Sequence, residues 1–230
     1  MPFGIMLNNR SQSKKRTTQS KGIRPQRVSL IIISTCLLLP AIALAVYKPT
    51  RILVPGLFSG LHCWRDRICT DDLPRLSEAQ NLTDEATHFV ETHIQTLKNK
   101  PTVVFCSEES CFNHFGFENA SAHTIGVSGI VVGPKGWSPY IVRHELIHHI
   151  QAEQFGIIDY LRYPRWFIEG MAYTLSEDPR PTLWEQNQRY RECFKAWVIA
   201  LEDTDQWIAA KDLSKIKQFG LDNSCSRDPS

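Results

Sequence analysis

The chain has 230 residues, 42% hydrophobic, 10% aromatic and 22% charged, enough for one globular domain with attachments and unlike collagen, coiled coil or bulk disorder. Its formal net charge of +2 hides a division: residues 1–27 carry seven Lys/Arg and no acid, and the 19 basic residues beyond Arg27 against all 24 acids leave residues 28–230 at −5. An acidic body lacks the clustered Lys/Arg that nucleic-acid binding needs, so no nucleic-acid partner is expected.

Residues 1–27, rich in Ser, Thr and Gln, read as a basic cytoplasmic tail with too little apolar surface to offset the entropy of ordering. Residues 28–47, VSLIIISTCLLLPAIALAVY, hold no charge. At about 1.5 Å rise per residue they reach roughly 30 Å, the thickness of a bilayer core. Seven positive charges before the segment, against Lys48 and Arg51 after it, orient a transmembrane helix with the tail inside and the body translocated. Two outcomes stay open: an uncleaved membrane anchor, or a signal segment cut near Ala45, where Pro40, Ala41, Ala43 and Ala45 supply a helix break and small residues. Either way the body is expected to be periplasmic or extracellular, attached to the membrane in the first case and secreted in the second.

Residues 48–80 are rich in Pro and Gly and read as an irregular lead-in, leaving 81–230 as the main folded domain. From Asn81 to Pro101, Ala86, Phe89, Val90, His93, Ile94 and Leu97 recur on one helical stripe. TVVFCS, from Thr102, is a short β-branched strand, followed by a turn over Ser107–Ser110. SAHTIGVSGIVVG adds one or two more strands. Ser138 and Pro139 are an N-cap and first-turn pair for a helix that stops at Gly156. A second helix is expected from Pro164 to the break at Pro179 and Pro181, with further helices over 182–202 and 204–217. The fold class is therefore α+β with a small mixed sheet. Setting Cys36 aside, six cysteines remain. Cys63–Cys69, Cys106–Cys111 and Cys193–Cys225 is the simplest pairing, and it suits an exported protein.

The first of the late helices contains His144-Glu145-Leu146-Ile147-His148. Residues four apart share a helix face, so two imidazoles can converge on one metal while the intervening Glu reaches a bound water. The second helix carries Trp166-Phe167-Ile168-Glu169-Gly170-Met171-Ala172, whose carboxylate lies 21 positions after His148. His2Glu is a recurrent ligand set for catalytic zinc.

In HExxH followed about twenty residues later by W-x-x-E-G-x-A, the chain resembles the gluzincin branch of zinc metallopeptidases, thermolysin-like and aminopeptidase-like. The resemblance covers residues 81–178. It implies a zincin-like fold, Zn2+ held by His144, His148 and Glu169, Glu145 as general base, and a peptide or protein substrate. It also implies an edge strand that holds the peptide, for which Ile125–Val132 is the expected equivalent, with Gly126 and Gly129 allowing close approach. Tyr163, Tyr160, Tyr173 and His123 are candidates for a second oxyanion donor. One departure stands out. Thermolysin-like enzymes place an Asp four residues after the ligand Glu, and this chain has Tyr173 there.

His149 lies about 100° around the helix from His148 and is read as a flanking residue. Trp166, Trp184, Trp197 and Trp207 are expected to anchor the core or an interface. The leading expectation is a membrane-anchored or secreted zinc peptidase; the rival is a non-catalytic exported binding or assembly factor on the same scaffold. An intact Glu145 argues for the enzyme, since that residue binds no metal. An intramembrane protease is disfavoured by the single spanning segment.

Overall fold

Residues 48–80, expected as an irregular lead-in, contribute two short strands to the sheet. The computed structural model describes residues 46–57, 60–65, 67–202 and 204–213, with Thr35, Leu38 and Cys225. Short 3-10 turns at Lys48–Leu53 and Pro55–Leu57 bury Ile52 and Pro55. Strands β1 (His62–Trp64) and β2 (Ile68–Thr70) then pair antiparallel, with Cys63 opposite Cys69 and disulfide-bonded to it. The expected span over 28–47 lies outside the described residues except at Thr35, Leu38, Val46 and Tyr47. Among the described residues no helix is long and apolar enough to cross a membrane.

Helix α1 (Leu76–His93) follows directly from a 3-10 turn at Leu73–Arg75, so it begins before Asn81. It also ends well short of Pro101. The N–H groups of Ile94 and Gln95 both donate to the carbonyl of Val90, which closes the last turn. Next come β3 (Thr102–Phe105), a short helix α2 (Glu109–His114) where a plain turn was expected, and the hairpin of β4 (Ala122–Ile125) and β5 (Gly129–Val132). The Cys106–Cys111 disulfide ties the end of β3 to α2.

The sheet is five-stranded and mixed, in the order β1-β2-β3-β5-β4: β2–β3 and β3–β5 are parallel and the two hairpins antiparallel. Its central strands TVVF and GIVV are apolar along their length because they are covered on both faces. Val103, Phe105, Ile130 and Val132 join the core shared with the helices, whereas Val104 and Val131 pack with Ile52, Phe112 and Phe115 on the other side.

The helical half follows the expected boundaries closely. Helix α3 (Pro139–Phe155) opens with Pro139 after an extended Ser138 and stops at Gly156, whose φ of +77° favours glycine. A one-turn α4 (Ile157–Tyr160) redirects the chain, and α5 (Arg165–Leu175) starts after Pro164. Helices α6 (Glu185–Ala200) and α7 (Gln206–Leu213) complete the described chain. Cys193, on α6, is bonded to Cys225.

Trp166 and Trp197 pack with Phe167 and Phe194 in a buried aromatic cluster, and Trp207 lies against Phe155. Trp184 lies outside this core and is 88% exposed.

Candidate metal centre

Helix α3 is buried on most of its circumference. Val142, Leu146, Ile147 and Ile150 fill the core, and His144, Glu145 and His148 are buried beside them. Its orientation is fixed from two sides. Arg143 pairs with Glu85 of α1 and with Glu177, its guanidinium 3.9 Å from the Phe89 ring centroid. On the other side, Thr124 of β4 donates its hydroxyl to Glu145, lying 2.7 Å from Oε2 and 2.8 Å from the backbone carbonyl.

Glu169 arrives on α5, and Gly170 explains how. A Cβ at position 170 would collide with the Tyr190 carbonyl and lie 2.7 Å from Phe194 Cβ, so only glycine lets α6 close against α5 at this level. In this chain the Glu-Gly pair thus combines a candidate ligand with a helix-packing contact.

Three donor atoms converge. His144 Nε2 lies 3.0 Å from His148 Nε2, and Glu169 Oε2 lies 3.7 Å from each. Ligands about 2.0–2.2 Å from a tetrahedral ion stand roughly 3.4 Å apart, so shifts of a few tenths of an ångström would let the trio hold a single metal ion. Among the described residues this group could hold a metal ion.

The histidine at position 148 is oriented by Gln151. The Gln151 amide donates to the Ile168 carbonyl at 3.0 Å, which turns its oxygen toward His148 Nδ1 at 2.9 Å. Nδ1–H then donates and Nε2 faces the site. Gln151 therefore couples the first metal helix to the backbone next to Glu169. Tyr173, in place of an Asp, packs its ring against His144 with centroids 4.4 Å apart, and its hydroxyl accepts from Asn187 Nδ2 at 2.8 Å. This ring packing helps to fix the orientation of His144.

The electrostatics are those of a compact ionic cluster. Burial, with the nearby charge of His148, holds His144 down to about 3. Burial also pulls on His148, but the Glu169 carboxylate and its hydrogen bond outweigh it and raise His148 to about 9. Glu169 is held down to about 2, its desolvation outweighed by the two histidines. Glu145 is raised by burial, against the pull of His148 and Thr124.

The cluster opens onto a cleft of about 510 Å³ whose walls include Ala122–Thr124 of β4, Tyr160, Tyr173, Arg165, Arg180 and Trp184. Of the proposed oxyanion donors, His123, Tyr160 and Tyr173 line this cleft. Tyr163 does not; it is buried and stacked on Phe155 at 4.3 Å. The edge strand is also displaced from its expected position. β5 is internal, and among the described residues the edge strand beside the candidate metal centre is β4, Ala122–Ile125. Gly129 serves packing, since a Cβ there would meet the Thr102 carbonyl at 2.5 Å and Ile52 at 2.6 Å.

His149 points away from the site, its Nε2 2.9 Å from the Asn99 carbonyl. Sequence reasoning missed Thr124, Gln151, Arg165 and Arg180. Only Gln151 carried a local signal, lying three residues after His148 on the same helix face. Compared with family models, curated proteins and solved structures, the chain finds no match, so its function has to be read from this geometry.

Proposed function

We propose that the protein is a zinc-dependent peptidase that works on the extracytoplasmic side of a membrane. The observation that carries this reading is the convergence of His144, His148 and Glu169 beside a separately held carboxylate, Glu145, in a cleft walled by a free strand edge. His144, His148 and Glu169 would hold the ion; the two-imidazole, one-carboxylate set suits zinc, which as a Lewis acid lowers the pKa of water and polarises a carbonyl.

The chain's own residues supply the rest. Glu145 is not a ligand, so its carboxylate is free to accept a proton from the attacking water and return it to the leaving amine nitrogen. Thr124 keeps that carboxylate aimed into the cleft. Free N–H and C=O groups of β4 can align an extended peptide by adding a strand. The hydroxyls of Tyr160 and Tyr173 stay protonated, since burial and the nearby Glu169 raise both, Tyr173 to about 12. Either can donate to a developing oxyanion.

The proposed location is supported by the three disulfides, which persist in oxidising compartments, and by the charge asymmetry about residues 28–47. Glu145→Gln in the full chain, purified in detergent with zinc, should keep its metal and lose hydrolysis of a peptide library by roughly 10²–10⁴-fold. Full activity in that variant refutes the mechanism.

A further inference from the structure

Arg165 is the first residue of α5, at the end of a helix where the backbone N–H groups already present partial positive charge and a cation is unfavourable. It is exposed and lines the cleft. Other arginines near the metal centre are committed. Arg180 is bidentate with Asp178, at 2.9 and 3.1 Å from its Nε, and Arg143 pairs with Glu85 and Glu177. Arg165, by contrast, makes no hydrogen bond or ion pair to any described residue. It stands one helical turn before Glu169 on the same face, close enough for its charge to act on Glu169 and Tyr160.

The formal charges of the cleft make this guanidinium the remaining one. A divalent ion is offset by the carboxylates of Glu145 and Glu169, and Arg180 is neutralised by Asp178. What is left is one positive charge, on a protein body whose formal charge is −5. A planar guanidinium with five donors and no partner is suited to bidentate recognition of a carboxylate. Resting on the peptidase reading above, we propose that Arg165 is a specificity residue that receives a substrate carboxylate within a residue or two of the bond cleaved. Two sources share that chemistry: an acidic side chain and the free C-terminus of a peptide.

The test uses the full chain, zinc-loaded in detergent, and a mixed peptide library synthesised in matched sets: Glu against Gln at each position, and free acid against amide at the C-terminus. Cleavage sites and rates are read by mass spectrometry. The wild type should favour the carboxylate member of one set by on the order of tenfold or more, the value of one charge-assisted contact. A Glu-over-Gln preference identifies the side chain as the source, and an acid-over-amide preference identifies the chain end.

Arg165→Gln should bring that ratio to near one, and Arg165→Glu should turn it toward Lys-containing peptides, with zinc content measured in both to show an intact centre. Cleavage by the wild type without carboxylate preference, or a preference that survives in Arg165→Gln, overturns this inference and leaves the peptidase reading standing. No cleavage of any peptide by the zinc-loaded wild type removes the peptidase reading and this inference with it.

Discussion

Thr124→Val isolates the contact between the sheet edge and Glu145, the proposed general base. Valine keeps the β-branched shape that suits a strand and removes only the hydroxyl, which lies 2.7 Å from Glu145 Oε2 and 2.8 Å from the Glu145 carbonyl. A hydrogen bond to a charged group contributes about 1.5–3 kcal/mol, equivalent to roughly 10–150-fold in rate if it is fully expressed in the transition state. In the proposed mechanism Glu145 acts on the attacking water, so the loss should fall on kcat. The expected result is a kcat lower by one to two orders of magnitude on a cleaved library peptide, a KM within about threefold of wild type, and unchanged zinc content. Thr124→Ser, which restores the hydroxyl, should recover most of the rate. Wild-type kcat in the valine variant refutes the positioning role. A serine variant as slow as the valine one would show that strand packing, not the hydroxyl, matters.

Gln151→Leu should lower zinc affinity by about 10–100-fold while leaving the ligands in place, because His148 Nδ1 and the Ile168 carbonyl both lose their partner; metal competition with a fluorescent chelator measures it. Gly170→Ala should destabilise the protein by about 1–3 kcal/mol, read by denaturant titration, by forcing α6 away from α5; zinc affinity should fall in the same variant because Glu169 is the adjacent residue. Replacing both Cys193 and Cys225 by Ser opens a loop with a sequence separation of 32, and the chain-entropy argument gives a loss of about 3–4 kcal/mol. An unchanged melting temperature in that double variant would refute a structural role for the bridge.

Much of the candidate metal centre was legible because its determinants are local. The i,i+4 histidines, Pro139 and Gly156 at the ends of α3, and Pro164 before α5 are carried by short stretches of sequence, and the observed helices keep these limits. The three nearest-neighbour cysteine pairs are also those formed. What was illegible depends on distant packing. Residues 48–80 look irregular because β1 and β2 are only three residues each, and their place follows from the parallel pairing of β2 with β3, which no local pattern encodes.

Gly129 looks like a point of substrate approach in the sequence for the same reason. Ile52, which occupies the space its missing Cβ leaves, lies 77 positions away in sequence. Thr124 reaches Glu145 across 21 residues, so nothing near either residue announces the bond. The tyrosines of the α4–α5 turn divide on orientation alone: Tyr160 faces the cleft and Tyr163, three positions on, completes an aromatic stack.

The central claim is that one ion held by His144, His148 and Glu169 works with Glu145 to hydrolyse peptides. It is tested most directly by stripping the full-length protein with a chelator and following peptide-library hydrolysis as zinc is returned. The account predicts that activity is lost on stripping and recovers in proportion to added zinc up to one equivalent per chain, with no recovery in Glu169→Ala. Hydrolysis that persists after chelation, or that fails to appear at any zinc loading, would contradict it.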